Sequence, residues 1–192
     1  MDSSQIEYKI LLGSASPRRH ELLNAMGIEH TVIPIDADEV IPEGMAPERI
    51  VEYLAEFKSQ AYSKELAPNE LLITADTIVV LGNDILGKPK DAEDANRMLS
   101  ALSGKEHAVI TGCCLRNSER SVVFHDRTTV HFRSLTSDMI DHYIEQFKPF
   151  DKAGAYGIQE WIGLVGIEKI EGSYFNVVGL PTQKLYEALF SF

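Results

Sequence analysis

No apolar run in this chain approaches the length that would span a bilayer. The start, Met1-Asp2-Ser3-Ser4-Gln5-Ile6-Glu7, lacks a basic stretch followed by an apolar one, so it does not read as a secretory signal and the cytoplasm is the expected compartment. Cysteine is scarce. The two present, Cys113 and Cys114, are adjacent, and no Cys-x-x-Cys occurs, which removes support for a zinc ribbon or a redox pair. On a strand they point to opposite faces, so they are badly placed to bridge each other and are expected as buried small apolar residues. The six histidines are dispersed without metal-ligand spacing. There is no Gly-x-x-x-x-Gly-Lys, no Gly-x-Gly-x-x-Gly and no Gly-x-Ser-x-Gly, so nucleotide motors, dinucleotide enzymes and serine hydrolases drop in rank. Positive charge is in deficit: 18 Lys and Arg face 29 Asp and Glu, a formal net charge of −11. That argues against broad binding to nucleic acid or anionic membranes. A small phosphorylated substrate still fits, provided that positive charge is gathered locally or supplied by a metal ion.

What is present is ordinary for a globular protein: 192 residues, 44% hydrophobic and 24% charged, enough for one domain or for two lobes sharing a core. Hydrophobic periodicity alternates along the chain. Strands are expected at Ile10 to Gly13, Thr31 to Ile35, Leu71 to Leu81 with a short return after Gly82-Asn83-Asp84, and Leu164 to Ile170. A hairpin is expected from His107 to Leu115 and Ser121 to Phe132 around Asn117-Ser118-Glu119-Arg120. Helices are expected at Pro17 to Met26, Pro47 to Leu66, Asp91 to Leu102, Ser137 to Phe147 with Thr136 as N-cap, and Pro181 to Phe190. Asp36 to Ala46 reads as an acidic loop. No repeat, low-complexity tract or flexible linker interrupts this, so the fold class is α/β, with a mixed twisted sheet flanked by helices.

The most informative stretch is Ser14-Ala15-Ser16-Pro17-Arg18-Arg19, between an apolar strand and a helical pattern. Ser16 suits an N-cap and Pro17 the first helical position. Ser14, Ser16, Arg18 and Arg19 would then gather hydroxyls, helix N–H groups and two guanidiniums at a strand end, an arrangement suited to a polyphosphate. A capped helix with solvated arginines accounts for the segment equally well. Asp76-Thr77 interrupts the apolar run of the long strand. A carboxylate there is costly unless paired or metal-bound, which favours a functional role over an edge aspartate held by backbone N–H groups. Lys88 sits on a turn stiffened by Pro89. Lys58 lies on a helix among apolar neighbours and, from its own surroundings, reads as a snorkelling surface lysine. Glu39 belongs to an acidic loop that is either solvated or a source of a metal ligand. Asp151-Lys152-Ala153-Gly154-Ala155-Tyr156-Gly157-Ile158-Gln159 reads as a ligand loop or as a tight connection; the amide of Gln159 can both donate to and accept from a nucleobase edge.

Taken in order, these segments resemble the Maf family of nucleoside triphosphate pyrophosphatases. The similarity runs from Ser14-Ala15-Ser16-Pro17-Arg18-Arg19-His20-Glu21-Leu22-Leu23 through Ala75-Asp76-Thr77, Gly87-Lys88-Pro89 and Met98-Leu99-Ser100-Ala101-Leu102-Ser103-Gly104. It continues through residues 151–159 and ends in Ile170-Glu171-Gly172-Ser173-Tyr174-Phe175-Asn176-Val177-Val178-Gly179-Leu180-Pro181. The resemblance implies two lobes around a substrate cleft, as in inosine triphosphatases. It implies hydrolysis of a nucleoside triphosphate to the monophosphate and pyrophosphate, with a divalent cation, Mg²⁺ or Mn²⁺. The form of residues 151–159 is similar to that of the subfamily acting on dTTP and UTP, with modified pyrimidine triphosphates as further substrates.

By the same resemblance, Asp76 takes the place of the proton acceptor, and Arg18, Thr77 and Gln159 take places tied to base specificity. Glu39, Lys58, Lys88 and Arg19 match polar positions of the site. After Gln159 this chain has Glu160-Trp161, where many members of the family have glycine, at the rim of the base pocket. The mechanism expected joins these parts. Arg18, Arg19, Lys58 and Lys88 neutralise the triphosphate, Glu39 and Asp76 hold the metal, and Asp76 activates the water that attacks the α-phosphorus. The expected partners are the nucleotide substrate and, as the commonest symmetric assembly, a second copy of the chain; neither nucleic acid nor membrane is expected. Two other readings compete: a nucleotide-binding regulator of cell division with incidental hydrolysis, and a pyrophosphatase for purine triphosphates such as ITP or 7-methyl-GTP.

Overall fold

The computed structural model of the protein describes residues 6–35, 37 and 44–192. Elements run β1 (Lys9–Leu12), α1 (Pro17–Ala25), β2 (His30–Val32), α2 (Pro47–Ala61), β3 (Glu70–Leu81), β4 (Asp84–Leu86), α3 (Ala92–Leu102), β5 (Glu106–Arg116), β6 (Ser121–Phe132), α4 (Ser137–Phe147), a single 3-10 turn (Ala153–Ala155), α5 (Trp161–Gly166), β7 (Ile167–Glu171), α6 (Tyr174–Val178) and α7 (Thr182–Ser191). The strands form a seven-stranded sheet of order β2-β1-β3-β5-β6-β7, with β4 also paired to β3. It is mixed, as the sequence pattern requires: β1 runs parallel to both β2 and β3, while β3/β4 and β6/β7 are antiparallel.

Two compact units share the long strands. One holds Met1–Asp76, Thr111–Asp126 and Gly179–Phe192; the other holds Thr77–Ile110 and Arg127–Val178. The first unit is built on β3, whose residues alternate between two helical layers. Ile73 and Ala75 join Leu23 of α1 and Leu185 and Leu189 of α7 in one apolar cluster. Thr74, on the opposite face, is fully buried and donates its hydroxyl to the Ala55 carbonyl of α2 at 2.6 Å. The backbone of α2 rests directly on β5 at Gly112, where a β-carbon would fall 2.2 Å from the Val51 carbonyl oxygen. No side chain fits there, so glycine sets the depth at which α2 sits. Cys113 belongs to the α1/α7 cluster and Cys114 lies beside Ser59 and Thr74, on the α2 side. Both thiols are unbridged, and burial pushes them up to about 12 and about 11, so neither is a reactive thiolate.

The second unit packs α3 and α4 with the 151–160 segment around Val79, Val109, Val130 and Phe132. α3 and α4 are capped as their sequences indicate: Asp91 accepts from the Asp94 N–H at 2.9 Å and Thr136 from the Met139 N–H at 3.3 Å. Three expected elements differ. α2 stops at Ala61 rather than Leu66, because Tyr62 is already extended and Leu66 turns in to pack with Leu11 and Leu72. The second strand covers His30–Val32 only. Residues 164–166, expected as strand, complete α5, and β7 begins at Ile167. Among the described residues no helix is long and apolar enough to cross a membrane.

Candidate active site

In the first unit the parallel register of β1 with β3 places the Ser14–Arg19 loop. Leu12 lies opposite Ile73, and Gly13 N–H donates to the Ile73 carbonyl at 2.8 Å. The chain therefore leaves β1 level with Thr74, and the loop begins beside Ala75 and Asp76. Ligand sites of open α/β sheets gather at these carboxyl ends of parallel strands. Ser16 occupies the N-cap position of α1 and Pro17 its first turn, as expected, but the Ser16 side chain makes no cap hydrogen bond. Ser14 organises the loop instead. Its buried hydroxyl accepts from the Ser16 N–H at 3.2 Å and from Arg19 Nη1 at 3.1 Å.

Arg19 ties three segments together. Nη1 also donates to the Ala75 carbonyl at 2.8 Å, and Nε donates to the Gly179 carbonyl at 2.8 Å. One residue beyond Ala75, the Asp76 carboxylate accepts from Lys58 Nζ of α2. Their side chains are 16% and 15% exposed, so this is a half-buried ion pair open to solvent on one side. The Thr74–Ala55 hydrogen bond explains the pairing. It docks α2 on β3, and one helical turn past Ala55, two residues past Thr74, Lys58 meets Asp76. Lys58 is thus not the surface lysine its helix pattern indicated. Arg18 is half-buried on the first turn of α1.

Lys58 engages Oδ1 of Asp76; Oδ2 has no hydrogen-bond partner among the described residues. Also among them, no three His, Cys, Asp or Glu residues cluster closely enough to hold a cation by themselves. One open carboxylate oxygen suits a hard cation whose shell is completed by phosphate oxygens and water, the usual habit of Mg²⁺. Glu39, the other expected ligand, lies outside the described residues.

The second unit carries Thr77, Lys88 and Gln159. Thr77 is half-buried on β3, the residue next to Asp76. Lys88 is exposed on the turn after β4. That turn is bound to the 151–160 loop, since Gly154 N–H donates to the Gly87 carbonyl at 3.0 Å. Gly154 and Ala155 both take left-handed φ, 68° and 61°, and Ala155 is fully buried. A non-glycine residue held this way stores backbone strain of about 1–2 kcal/mol, a trait common in ligand loops. Gln159 is exposed at the end of the loop. Sequence reasoning missed what holds the loop: Lys152, buried, reaches Asp151 at 2.7 Å and Glu160 at 3.1 Å, and Glu160 also accepts from the Tyr143 hydroxyl of α4.

His107 buttresses the same loop. It is buried, its Nε2 lies 2.7 Å from the Tyr156 hydroxyl, and its ring meets Phe132 and Tyr156 edge-on. Whichever nitrogen carries the proton, Nδ1 has no partner among the described residues. Burial, aided by His131, lowers the imidazole from its ordinary 6.5 to about 4. The unfolded chain binds this proton below about pH 6.5 and the folded protein only below about pH 4, so stability is lost as pH falls across that window. His107→Gln should remove about 2–3 kcal/mol of the acid sensitivity between pH 7 and pH 4.5, measured as the difference in urea midpoints from the wild type. Equal sensitivity in the two proteins would show that His107 is not the responsible group.

A parallel-stranded α/β unit with an arginine-bearing loop at its strand ends, beside an ion-paired carboxylate, has the build of a protein that handles phosphorylated ligands. Residues 9–192 match the family described as "Maf-like protein", and the chain belongs to that family. Its curated relatives include a "dTTP/UTP pyrophosphatase" of Bacteroides fragilis, 50% identical with 95% of each chain covered. Proteins of the same name from Flavobacterium johnsoniae, 46% identical over 95% of this chain and 94% of that one, and Porphyromonas gingivalis, 47% identical over 97% and 95%, match similarly. Among solved structures, the Staphylococcus aureus Ham1 protein aligns with 65% of this chain and 71% of its own at a TM-score of 0.43 and 17% identity, a likeness that bears on neither chemistry nor substrate.

Proposed function

We propose that this protein is a nucleoside triphosphate pyrophosphatase that hydrolyses dTTP and UTP, and modified pyrimidine triphosphates, to the monophosphate and pyrophosphate. The observation that carries the reading is the Asp76 carboxylate, held by Lys58 at the strand end where Arg19 anchors the Ser14–Arg19 loop. The names of relatives about half identical over nearly the full chain support the substrate class.

Each residue then has a task. Arg18, Lys58 and Lys88 neutralise the triphosphate, supplying the positive charge that a protein of net charge −11 must provide. Arg19 adds its charge, but its Nε and Nη1 are occupied in fixing the loop to β3 and to Gly179, so its main task is to position Ser14 and Ser16. Asp76 accepts a proton from the water that attacks the α-phosphorus; the bond to the bridging oxygen breaks and pyrophosphate leaves with that charge met by the cations. Asp76 and Glu39 would hold a divalent cation, Mg²⁺ or Mn²⁺, which would supply further positive charge for the phosphoryl transfer. Thr77 and Gln159 contact the base, Gln159 through the donor and acceptor of its amide.

A panel of triphosphates assayed for pyrophosphate release with Mg²⁺ tests this directly. The expected order is dTTP and UTP well above CTP, ITP and 7-methyl-GTP, with loss of activity on chelation. Gln159→Ala should lower the UTP-to-CTP ratio of kcat/KM about tenfold, the equivalent of one lost hydrogen bond to the base. Preference for a purine triphosphate, or an unchanged ratio in the variant, would reject the substrate assignment.

A further inference from the structure

Gln159 can discriminate bases only if its amide is held in one orientation, yet the residue itself is exposed at the end of its loop. The neighbouring residues provide the hold. Gly157 N–H donates to the Tyr143 hydroxyl oxygen at 3.0 Å, and that hydroxyl in turn donates to the Glu160 carboxylate. Lys152 Nζ lies 3.1 Å from Glu160 Oε1 and 2.7 Å from Asp151 Oδ1. The Lys152 side chain is 9% exposed and Glu160 20%, whereas Asp151 is 55% exposed, so Glu160 is the partner that compensates the buried ammonium. Burial and the Glu160 carboxylate both push the Tyr143 phenol far above its ordinary range, so it stays a donor at any working pH. Its ring is fixed as well, stacked on Phe147 at 5.1 Å.

Glu160 and Gln159 share one space. A β-carbon on Gly157 would lie 2.9 Å from Cδ of Glu160 and 3.0 Å from Nε2 of Gln159, so the carboxyl and the amide both pack over that α-carbon. A shift of the Glu160 carboxyl would open the space into which the Gln159 amide can turn.

We propose that Glu160, braced by Lys152 and Tyr143, is a positioning residue that sets the Gln159 amide and through it the pyrimidine preference of the site. The proposal rests on the function proposed above.

The experiment is a kcat and KM comparison for UTP and CTP on purified full-length variants, each checked for folding by circular dichroism. Glu160→Ala should lower the UTP-to-CTP ratio of kcat/KM about tenfold, the change falling in KM for UTP rather than in kcat. Glu160→Gln, whose amide oxygen can still accept from Tyr143 and Lys152, should recover most of that ratio. In the Gln159→Ala background, Glu160→Ala should change the ratio no further. Tyr143→Phe keeps the ring and removes only the hydroxyl, so it reports on the clamp if Glu160→Ala fails to fold; it should lower the ratio about threefold or more. Folded variants with the wild-type ratio, or with equal losses for UTP and CTP, overturn the clamp while leaving the proposed function intact. A wild-type protein that hydrolyses neither UTP nor dTTP overturns both.

Discussion

Replacing Asp76 with asparagine should lower kcat for pyrophosphate release from dTTP by at least about a hundredfold, the usual scale for loss of a positioned general base. The substitution is isosteric, and the asparagine amide oxygen can still accept from Lys58, so the strand and the docking of α2 should survive. With Mg²⁺ saturating, KM should rise far less than kcat falls, because Arg18, Lys58 and Lys88 still meet the triphosphate while the cation loses one charged ligand. A fall in kcat much larger than the rise in KM separates a chemical role from a binding one. The measurement is steady-state kinetics with Mg²⁺ alongside a circular dichroism spectrum. Near-normal turnover in a folded variant would take Asp76 out of the reaction.

How far this site is legible from the sequence depends on how local its determinants are. Asp76 is visible because a carboxylate breaks an otherwise apolar strand, a conflict contained within a few residues. The Ser14–Arg19 loop is visible for the same reason: strand, polar turn and proline-led helix follow one another directly. Lys58 is not visible from its own helix. Its face is set by Thr74 bonding to Ala55 and by the absence of a side chain at Gly112, contacts across distant parts of the chain. The 151–160 clamp is hidden likewise, since it depends on Tyr143 of α4 reaching Glu160. Residues 164–166 mislead, while 167–170 are the strand expected, because a short apolar run fits either period. The deciding contacts are close in sequence but are carried by glycine and backbone, not by the apolar pattern: Gly163 N–H donates to the Glu160 carbonyl at 2.9 Å, and a β-carbon there would fall 1.8 Å from the Ile158 carbonyl oxygen, so the chain coils tightly and leaves Leu164 81% exposed. A strand covered by other elements would have buried it.

Lys58→Met should lower kcat/KM for dTTP by about ten- to a hundredfold, with KM rising as well as kcat falling. The methionine keeps the apolar stem and the packing of α2 and deletes only the charge. Two losses then coincide: the triphosphate loses a cation, which appears in KM, and Asp76 loses the donor that orients it, which appears in kcat. Stability gives a second, independent reading. The single variant leaves a half-buried carboxylate, 16% exposed, with no ammonium beside it, so it should be less stable than wild type by about 1–3 kcal/mol. The double variant Lys58→Met/Asp76→Asn carries no such charge and should regain part of that loss, even though it has one more substitution and less activity. Urea denaturation of the wild type, both single variants and the double variant closes the cycle. If the double variant is no more stable than Lys58→Met, the pair is not what holds Asp76 in place, and the docking of α2 through Thr74 must hold it without help.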